Sequence, residues 1–431
     1  MEYIPILVLI ISFVGLLAIG TPVAWSIAIS SLLTMLVSIP VLPAVTTISQ
    51  RMATGLDSFA LLAIPFFILS GELMNNGGIA RRLIAFAKTL VGALPGGLAI
   101  INVISAMLMG AIAGSAIASA SAMGSLLGPE MEKEGYEKEF GAAVNITSAT
   151  MGLVIPPSNI LIVYSLASGG ASIAALFLAG YIPGILTGVF LMVLASLWAK
   201  KKGYAVGSRS SLSDVLKTFV NAIPVLFLLV LVIGGIVAGV FTATEASAIA
   251  VLYSLILGCI YKEITMEKLP KIFLDASATT AIVMLLIGAS MSMSWVLSYE
   301  HIPQEISTGL LDITDNKIMI LLLINLILLL VGIFMDITPA VLIFTPIFLP
   351  VVTKLGIDPV HFGVIMILNL CIGLCTPPVG SVLFVGVGIA KTSIEKVVRP
   401  LLPLFLAMIV VLFLITYIPQ LSLWLPRLFD L

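Results

Sequence analysis

The sequence predicts an all-α polytopic membrane protein made of two inverted repeats, each with one re-entrant helical hairpin and one broken helix. Of its 431 residues, 60% are hydrophobic and only 10% are charged, whereas a soluble domain carries about 25% charged residues. Apolar stretches of roughly 17–25 residues, the length that crosses a bilayer, recur along the whole chain. Two proline pairs, Pro156–Pro157 and Pro377–Pro378, stand 221 residues apart in apolar sequence. Matched interruptions of this kind in two halves of a chain are typical of transport proteins.

The apolar stretches predict the membrane spans in chain order. No basic residue precedes the first stretch, so we expect a permanent first span and no cleaved signal peptide. Two amphipathic stretches, residues 79–90 and 265–273, are predicted to lie along the membrane interface. The predicted spans cover residues 4–20, 22–41, 58–75, 140–168, 173–198, 218–240, 243–261, 276–298, 360–390 and 400–418.

Two further apolar blocks, at about residues 97–128 and 318–349, are interrupted near their middles. The first contains GAIAGSAIAS around Gly114, and the second contains MDITP around Asp336. Either block could form one long kinked helix or a hairpin that returns to the side it entered from. The hairpin is favoured because only hairpins keep the distribution of basic residues consistent.

With the chain starting outside, sixteen of the twenty Lys and Arg residues fall in predicted inner loops. This positive-inside bias predicts that both termini lie on the outer side. The outer loops hold Arg51, Lys317, Lys354 and Arg427. The inner loops hold Arg81, Arg82, Lys88, Lys133, Lys138, Lys200, Lys201, Lys202, Arg209, Lys217, Lys262, Lys268, Lys271, Lys391, Lys396 and Arg399.

An offset of 221 residues also aligns other positions of the two halves without gaps. It pairs Thr21 with Thr242, Ser26 with Ser247, Pro129 with Pro350, Lys133 with Lys354, Gly135 with Gly356, Gly152 with Gly373 and Leu153 with Leu374. We therefore predict a first repeat at 1–217, with scaffold spans, the hairpin at 97–128 and a broken helix at 140–168. The second repeat, 218–431, has scaffold spans, the hairpin at 318–349, a broken helix at 360–390 and a terminal span. The topology places the two hairpins on opposite sides, so the repeats are inverted.

Each proline pair predicts a helix that stops and restarts inside the membrane. Proline has no N–H and cannot bond the carbonyl four residues earlier, which predicts free carbonyls at Gly152 and Leu153 and at Gly373 and Leu374. The carbonyl end of such a break attracts a cation and the restarting amide end attracts an anion.

Polar oxygen donors surround the two breaks and the two predicted hairpin tips. Such donors suit a small hard cation, and no cluster of His, Cys and carboxylate suggests a transition metal. The donors near the breaks are Asn145, Thr147, Ser148, Thr150, Ser158, Asn159, Asn369, Thr376, Gly380 and Ser381, and those at the tips are Ser115, Ser119, Ser121, Asp336 and Thr338.

Several of these residues have a plainer alternative role. Asp336 is the sole acid predicted near the midplane, where an ionisable residue is functional by default, but it could also add charge beside a Thr338 cap. Ser119 and Ser121 could serve helix packing, and Asn159 could cap the restarted helix. Further expectations are that Cys371 and Cys375 pack, that His301 and His361 are exposed in outer loops, and that Glu72 and Glu245 reach the interface.

Other function classes fit less well. Net charge is −1, so there is no nucleic-acid footprint. An intramembrane hydrolase needs a nucleophile with a base, a second aspartate or a metal cluster, and a channel would more naturally present rings of charge or carbonyls by oligomerisation. A cation-coupled carrier agrees best with paired breaks inside one chain.

The motifs GSAIASASAMG, GLVIPPSN, MDITP and GLCTPPVG resemble those of the large membrane subunit of TRAP (tripartite ATP-independent periplasmic) transporters, over essentially all of the chain. The resemblance implies an elevator-type importer of the bacterial inner membrane, driven by a sodium gradient and needing no cofactor besides Na⁺. The implied partners are a smaller membrane subunit, separate here, and a periplasmic binding protein that delivers a carboxylate such as sialic acid or a C4-dicarboxylate. The alternative is another ion-coupled organic-anion carrier that works without a binding protein.

The resemblance also implies three groups of site residues. One sodium ion is expected at Ser115, Ser148, Gly152, Val154, Pro156 and Asn159. A second is expected at Asp336, Thr338, Gly373, Cys375, Thr376 and Gly380. The substrate carboxylate is expected near Ser119, Ser158, Asn159 and Ser381. Neither hairpin tip contains arginine, so amides and hydroxyls or an arginine at the edge of the site would bind it.

Overall fold

The computed structural model describes residues 4–204, 211–314 and 316–431, and all regular structure in these ranges is helical. Arg209, one of the predicted inner basic residues, lies outside the described residues. Eight helices in the described ranges are long and apolar enough to cross a membrane. The chain is therefore a multi-pass membrane protein.

The first half contains ten α-helices, and a short 3₁₀ turn at Phe59–Leu62 precedes the fourth. They are α1 (Ile4–Ala18), α2 (Val23–Ser38), α3 (Val41–Gly55), α4 (Ala63–Asn76), α5 (Ile79–Val91), α6 (Gly97–Ala113), α7 (Ala116–Lys133), α8 (Lys138–Met151), α9 (Asn159–Ala167) and α10 (Ile173–Lys202).

The second half also contains ten helices within the described residues. They are α11 (Leu212–Val237), α12 (Ala243–Ile260), α13 (Leu269–Tyr299), α14 (Ile302–Ile313), α15 (Lys317–Phe334), α16 (Ile337–Lys354), α17 (Pro359–Gly373), α18 (Ser381–Ile389), α19 (Ile394–Tyr417) and α20 (Gln420–Leu428).

The helix boundaries follow the 221-residue offset found in the sequence. Shifted by that offset, the first residues of α6, α7, α8 and α9 fall within one residue of the first residues of α15, α16, α17 and α18. The amphipathic helix α5 likewise has α14 as its counterpart. The inverted orientation of the two halves in a membrane stays a prediction.

Both proline pairs interrupt a helix as expected. The first break lies between α8 and α9, the second between α17 and α18, and both Pro–Pro peptide bonds are cis. Each interrupted apolar block also contains two helices and not one kinked helix. Gly114, with φ of 60°, separates α6 from α7, and the extended residues Met335 and Asp336 separate α15 from α16. Since α15 and α16 are each 18 residues long, which suffices to cross a membrane, the re-entrant path stays a prediction.

The helices before the two breaks, α8 and α17, form the centre of the molecule. Every residue from Ala142 to Met151 and from His361 to Gly373 is buried. Helix α8 packs against α6, α7 and α19, and α17 packs against the counterparts α15, α16 and α10. The first break, in which residues 151–156 are all buried, is thereby enclosed by protein, as an irregular segment at membrane depth requires, whereas Pro378 and Val379 of the second break are exposed.

Glycine pairs allow the closest approach around each break. A Cβ on Gly152 would lie 2.2 Å from Cα of Gly110 on α6, and one on Gly373 would lie 2.5 Å from Cα of Gly332 on α15. Backbones in membrane proteins often meet through such small residues. Each broken helix is thus held directly against the first helix of its own interrupted block.

The structure corrects several expectations about elements. The interfacial helix at 265–273 is wrong, because α13 runs unbroken from Leu269 to Tyr299; Pro270 lies in its first turn, where a missing N–H is tolerated. His361 is buried and not exposed, and its Nδ1 lies 2.6 Å from Oγ of Ser422 on α20. Three short helices, α3, α14 and α20, were not predicted.

Candidate functional site

A cavity of about 530 Å³ opens where the two interrupted blocks and the two broken helices meet. The first half contributes the turn before α7 and the start of α9. The second half contributes the turn before α16 and the start of α18. Helices α4 and α13 form the remaining wall. A volume of this size falls in the range typical of small-molecule sites.

Four helix N-termini converge on this cavity. Ser115 caps α7, its Oγ accepting the N–H of Ala118 at 3.2 Å, and Asp336 holds the equivalent position before α16. Asn159 and Ser381 are the first residues of α9 and α18. A helix N-terminus carries roughly half a positive charge and N–H groups that have no partner within the helix. At α18 two of these groups, those of Val382 and Leu383, already donate to the Leu374 carbonyl. The cavity therefore favours an anion through backbone dipoles.

No described residue that lines the cavity is Lys, Arg or His. The ionisable residues there are two acids, Asp336 and Glu72, and neither forms an ion pair within the described part of the chain. The Asp336 side chain is exposed to the cavity. An anion bound here must meet amides and hydroxyls, and Asp336 leaves a negative charge for a cation to neutralise.

Two polar atoms at the cavity lack a partner within the described structure, Oδ1 of Asn159 and Oγ of Ser381. Buried polar atoms are nearly always hydrogen-bonded, so these two are free to contact a bound ion or substrate. The Asn159 side chain lies against the turn between α6 and α7. A Cβ on Gly114 in that turn would be 2.7 Å from its Nδ2. Only glycine fits there without displacing Asn159.

The residues predicted for the first sodium ion separate into two places. Ser115 and Asn159 line the cavity. Ser148 is fully buried on α8, where its Oγ donates to the Val144 carbonyl at 2.7 Å. Val154 lies in the break with its carbonyl against α10, where a Cβ on Gly180 would be 2.3 Å from the oxygen. The other two predicted residues, Gly152 and Pro156, lie in the same break.

The residues predicted for the second sodium ion are likewise divided between the cavity and a break. Asp336 and Thr338 line the cavity, and Gly373 ends α17. Gly380, with φ of 34°, donates its N–H to the Ile333 carbonyl at 3.1 Å and so ties the second break to the end of α15. Cys375 and Thr376 lie in the break between them, and the Thr376 Oγ1 donates to the Ile372 carbonyl at 2.7 Å.

The expectation of free carbonyls is wrong for three of the four residues named. The Leu153 carbonyl accepts the Ser158 hydroxyl at 2.5 Å, and the Leu374 carbonyl accepts the N–H of Val382 at 3.2 Å. The Gly373 carbonyl accepts the N–H of Thr376 at 2.9 Å. In each case the chain folds back after the helix ends, so a nearby donor replaces the one that proline lacks.

The residues predicted for the substrate are divided as well. Asn159 and Ser381 line the cavity, together with Ser121. Ser119 and Ser158 do not, and both are fully buried. The Ser119 Oγ donates to the Ala106 carbonyl at 2.9 Å and joins α7 to α6, which is the packing role considered as its alternative.

Sequence reasoning missed the wall made by α4 and α13. Glu72, Asn75 and Thr279 line the cavity there, although Glu72 was expected at the membrane interface. The available signal was an acid within an otherwise apolar segment, FFILSGELM. Glu245, by contrast, is exposed and forms a capping box with Thr242 at the start of α12.

Comparison with known proteins identifies one transporter family. Residues 10–421 match the family model described as tripartite ATP-independent periplasmic transporter, DctM component. The chain is 58% identical to YgiK of Salmonella typhimurium over 99% of both chains. It is 41% identical to the isethionate TRAP transporter permease DctMQ of Oleidesulfovibrio alaskensis, covering 98% of this chain and 67% of that one.

Two further comparisons concern a named substrate and the fold. The chain is 38% identical to the sialic acid TRAP transporter large permease SiaM of Vibrio cholerae, over 97% of this chain and 98% of that one. The crystal structure of the YdaH transporter of Alcanivorax borkumensis matches with a TM-score of 0.67 over 91% of this chain and 90% of its own. With 14% identity, this last likeness concerns the fold alone.

Proposed function

The chain belongs to the DctM component family of the tripartite ATP-independent periplasmic transporters, and from this membership we propose that it imports a carboxylate with sodium ions across the bacterial inner membrane. Membership makes the chain the large permease component of a transporter and not an enzyme. The sodium coupling, the substrate class and the elevator motion are the proposed part.

The convergence of four helix N-termini on one cavity, whose described lining contains no Lys, Arg or His, carries the proposal. Backbone N–H groups and dipoles bind carboxylates at helix N-termini. In transporters, interrupted helices present such termini to anionic substrates near the membrane midplane. Several partial charges can hold the anion without the single strong ion pair that would hinder its release, which suits a carrier.

Asp336 provides a route for coupling to sodium. Its carboxylate faces the same cavity, so in the ionised form it repels the substrate anion. A sodium ion at Asp336, assisted by Thr338, neutralises that charge and makes anion binding more favourable. The oxygen donors present there, a carboxylate and a hydroxyl, suit a small hard cation. The unpartnered Oδ1 of Asn159, which α9 of the first half contributes to the cavity, is a further oxygen that could contact a cation.

The proposed elevator motion carries the cavity with the interrupted blocks and the broken helices. These elements are α6–α9 and α15–α18, in which α8 and α17 are buried against their own blocks. Helices α4 and α13 belong to the scaffold of the two repeats, 1–217 and 218–431. The position of the cavity between the two groups of helices supports this division.

The proposed partners are a smaller membrane subunit and a periplasmic binding protein. Support comes from the DctMQ relative, a TRAP transporter permease of which this chain covers 67%. The second candidate function is an ion-coupled organic-anion carrier that needs no binding protein. The relatives named for carboxylate substrates include sialic acid and C4-dicarboxylate permeases, so both classes are candidates at this level.

Uptake into liposomes tests the proposal. The chain and its small subunit are reconstituted, a panel of radiolabelled carboxylates is offered, and an inward sodium gradient is imposed with and without the binding protein. We expect saturable uptake that requires both the gradient and the binding protein. Uptake with sodium but equal without the binding protein supports the second function. Uptake that a potassium gradient drives equally well refutes sodium coupling.

A further inference from the structure

We infer that the transported carboxylate bears hydrogen-bond donors, hydroxyl or ammonium, at the end remote from its carboxylate, and that dicarboxylates are excluded. This inference rests on the proposed function, because it assumes that the cavity binds a carboxylate at the four helix N-termini. The observation behind it is the unequal distribution of polar groups around the cavity. The interrupted helices present four N-termini besides the carboxylate of Asp336, whereas the wall made by α4 and α13 presents the carboxylate of Glu72, unpaired within the described residues, and the oxygen of Thr279.

Glu72 is the main feature of that wall. It lines the cavity from α4, is half-buried, and forms neither an ion pair nor a side-chain hydrogen bond within the described residues. An ionised carboxylate is an acceptor only. A ligand group beside Glu72 must therefore donate a hydrogen bond or carry positive charge. Asn75 lies three residues further on and shares the same face of α4, and its amide can donate as well as accept.

Helix α13 also contributes a hydrogen-bond acceptor to the wall. Thr279 lines the cavity, and its hydroxyl hydrogen is already donated to the Asp275 carbonyl at 3.0 Å. Its oxygen consequently offers only lone pairs to a ligand. The exposed Asp275 carboxylate lies one turn earlier on α13 and adds further negative charge near this wall.

The two sides of the cavity thus suit different chemical groups at the two ends of a substrate that spans it. The carboxylate end meets the positive ends of α7, α9, α16 and α18, and the other end meets Glu72 and Thr279. A second carboxylate at that end would face Glu72 with no described Lys or Arg on the cavity surface to offset the repulsion. Hydroxyl or ammonium groups would satisfy the free acceptors.

Ligand-induced protection of the purified full-length chain tests the inference. The melting temperature in detergent is titrated with sodium salts of N-acetylneuraminate and gluconate, which carry hydroxyls, 4-aminobutyrate, which carries ammonium, succinate, a dicarboxylate, and butyrate, which lacks donors. We expect at least one donor-bearing acid to give half-maximal protection at a concentration roughly tenfold or more below those of succinate and butyrate. Protection by the hydroxy acids or by 4-aminobutyrate identifies which donor is used.

Glu72→Gln removes the charge and keeps the shape of the side chain. We expect it to reduce the preference of the donor-bearing acid over succinate at least roughly fivefold, with Glu267→Gln, at an exposed residue away from the cavity, as the control. Asn75→Asp adds a charge to the same wall and should weaken succinate further, which keeps the test open if Glu72→Gln does not fold.

The outcomes separate the two hypotheses. If none of these acids protects the wild-type chain, both the inference and the binding of a carboxylate in the cavity are wrong. If succinate protects the wild-type chain as well as any donor-bearing acid does, the inference fails and the proposed function stands. A preference for the donor-bearing acid that neither Glu72→Gln nor Asn75→Asp alters also refutes the assigned role of the α4 wall.

Discussion

Ser115 and Asp336 occupy equivalent positions in the two halves, and they differ in charge. Each precedes the second helix of its interrupted block, and each faces the cavity. Ser115 provides a neutral cap for α7, while Asp336 places a carboxylate at the start of α16. A carboxylate attracts a sodium ion through a full negative charge, whereas a hydroxyl attracts it only through a dipole. This pair of residues can therefore make the two halves differ in how strongly they bind sodium.

Asp336→Asn should lower the apparent sodium affinity of transport at least roughly tenfold, which corresponds to about 1.4 kcal/mol. Asparagine retains the shape and the capping ability of aspartate, so folding should be preserved. Sodium titration of uptake in liposomes measures the effect. Asp358→Asn is the matched control, since Asp358 caps α17 through the Val360 N–H at 2.8 Å and does not line the cavity. An unchanged sodium titration for Asp336→Asn would remove Asp336 from the coupling site.

Six of the oxygen donors predicted from the sequence line the cavity, whereas the wall made by α4 and α13 was not predicted. The six, Ser115, Ser121, Asn159, Asp336, Thr338 and Ser381, lie near proline pairs or turn-forming residues, which are local signals. The wall residues of α4 and α13 lie in regular helices, where only the tertiary packing decides which face meets the cavity. Ser119 and Ser158 show the converse, because a polar residue near a break can equally satisfy a backbone carbonyl.

At the scale of the helices, the contacts between glycines fix how α6 meets α8 and how α15 meets α17. The two contacts occupy equivalent places in the halves, and both are too close for a Cβ. They hold each broken helix against the block that supplies the cavity with a helix N-terminus. A larger residue at either glycine contact should therefore change both the stability of the protein and the position of the helix break.

Gly152→Ala should destabilise the protein by about 1–3 kcal/mol, the usual effect of overpacking, because the new Cβ would lie 2.2 Å from Cα of Gly110. The matched control is Gly128→Ala within α7, where a Cβ would have no neighbour within 4 Å. Alanine favours the helix at that position by roughly 0.5–1 kcal/mol. Thermal unfolding in detergent measures both variants. Equal melting temperatures for the two variants would show that the glycine contact is not as close as described.

The helices that the sequence did not predict have a common physical cause. Helices α3, α14 and α20 have 15, 12 and 9 residues and carry polar faces, so they lack the long apolar run on which span prediction depends. The burial of His361 follows from α20, since Ser422 of that helix contacts the imidazole. A search for amphipathic periodicity could have found these helices, whereas the partner of His361 depends on a contact 61 residues away in sequence.

Across the whole molecule, helices that are equivalent under the 221-residue offset also make equivalent contacts. Helix α8 packs against α19, and its counterpart α17 packs against α10, which is the counterpart of α19. Each central helix is thus clamped by its own block and by the long last span of the other half. Four ion pairs join residues of the predicted inner side, as in Arg81 with Glu263 and Lys202 with Glu137.

Inverted repeats make a prediction that concerns the whole molecule, namely that equivalent residues lie on opposite sides of the membrane. Lys133 at the end of α7 and Lys354 at the end of α16 are equivalent under the offset, and both are exposed. With cysteine at one of these positions in a Cys259→Ser background, we expect a membrane-impermeant thiol reagent to label Lys354→Cys in cells whose outer membrane alone is permeabilised. Lys133→Cys should be labelled only after the inner membrane is opened.

The background and the control follow from the cysteines of the chain. Cys259 is exposed and must be removed, whereas Cys371 and Cys375 are buried and should not react. Labelling of both cysteines from the same side would mean that the halves run parallel, and the four helix N-termini could then not approach one cavity from opposite sides of the membrane. Alternating access by sliding that cavity past α4 and α13 depends on those opposite approaches, because each interrupted block must close the cavity toward its own side in turn.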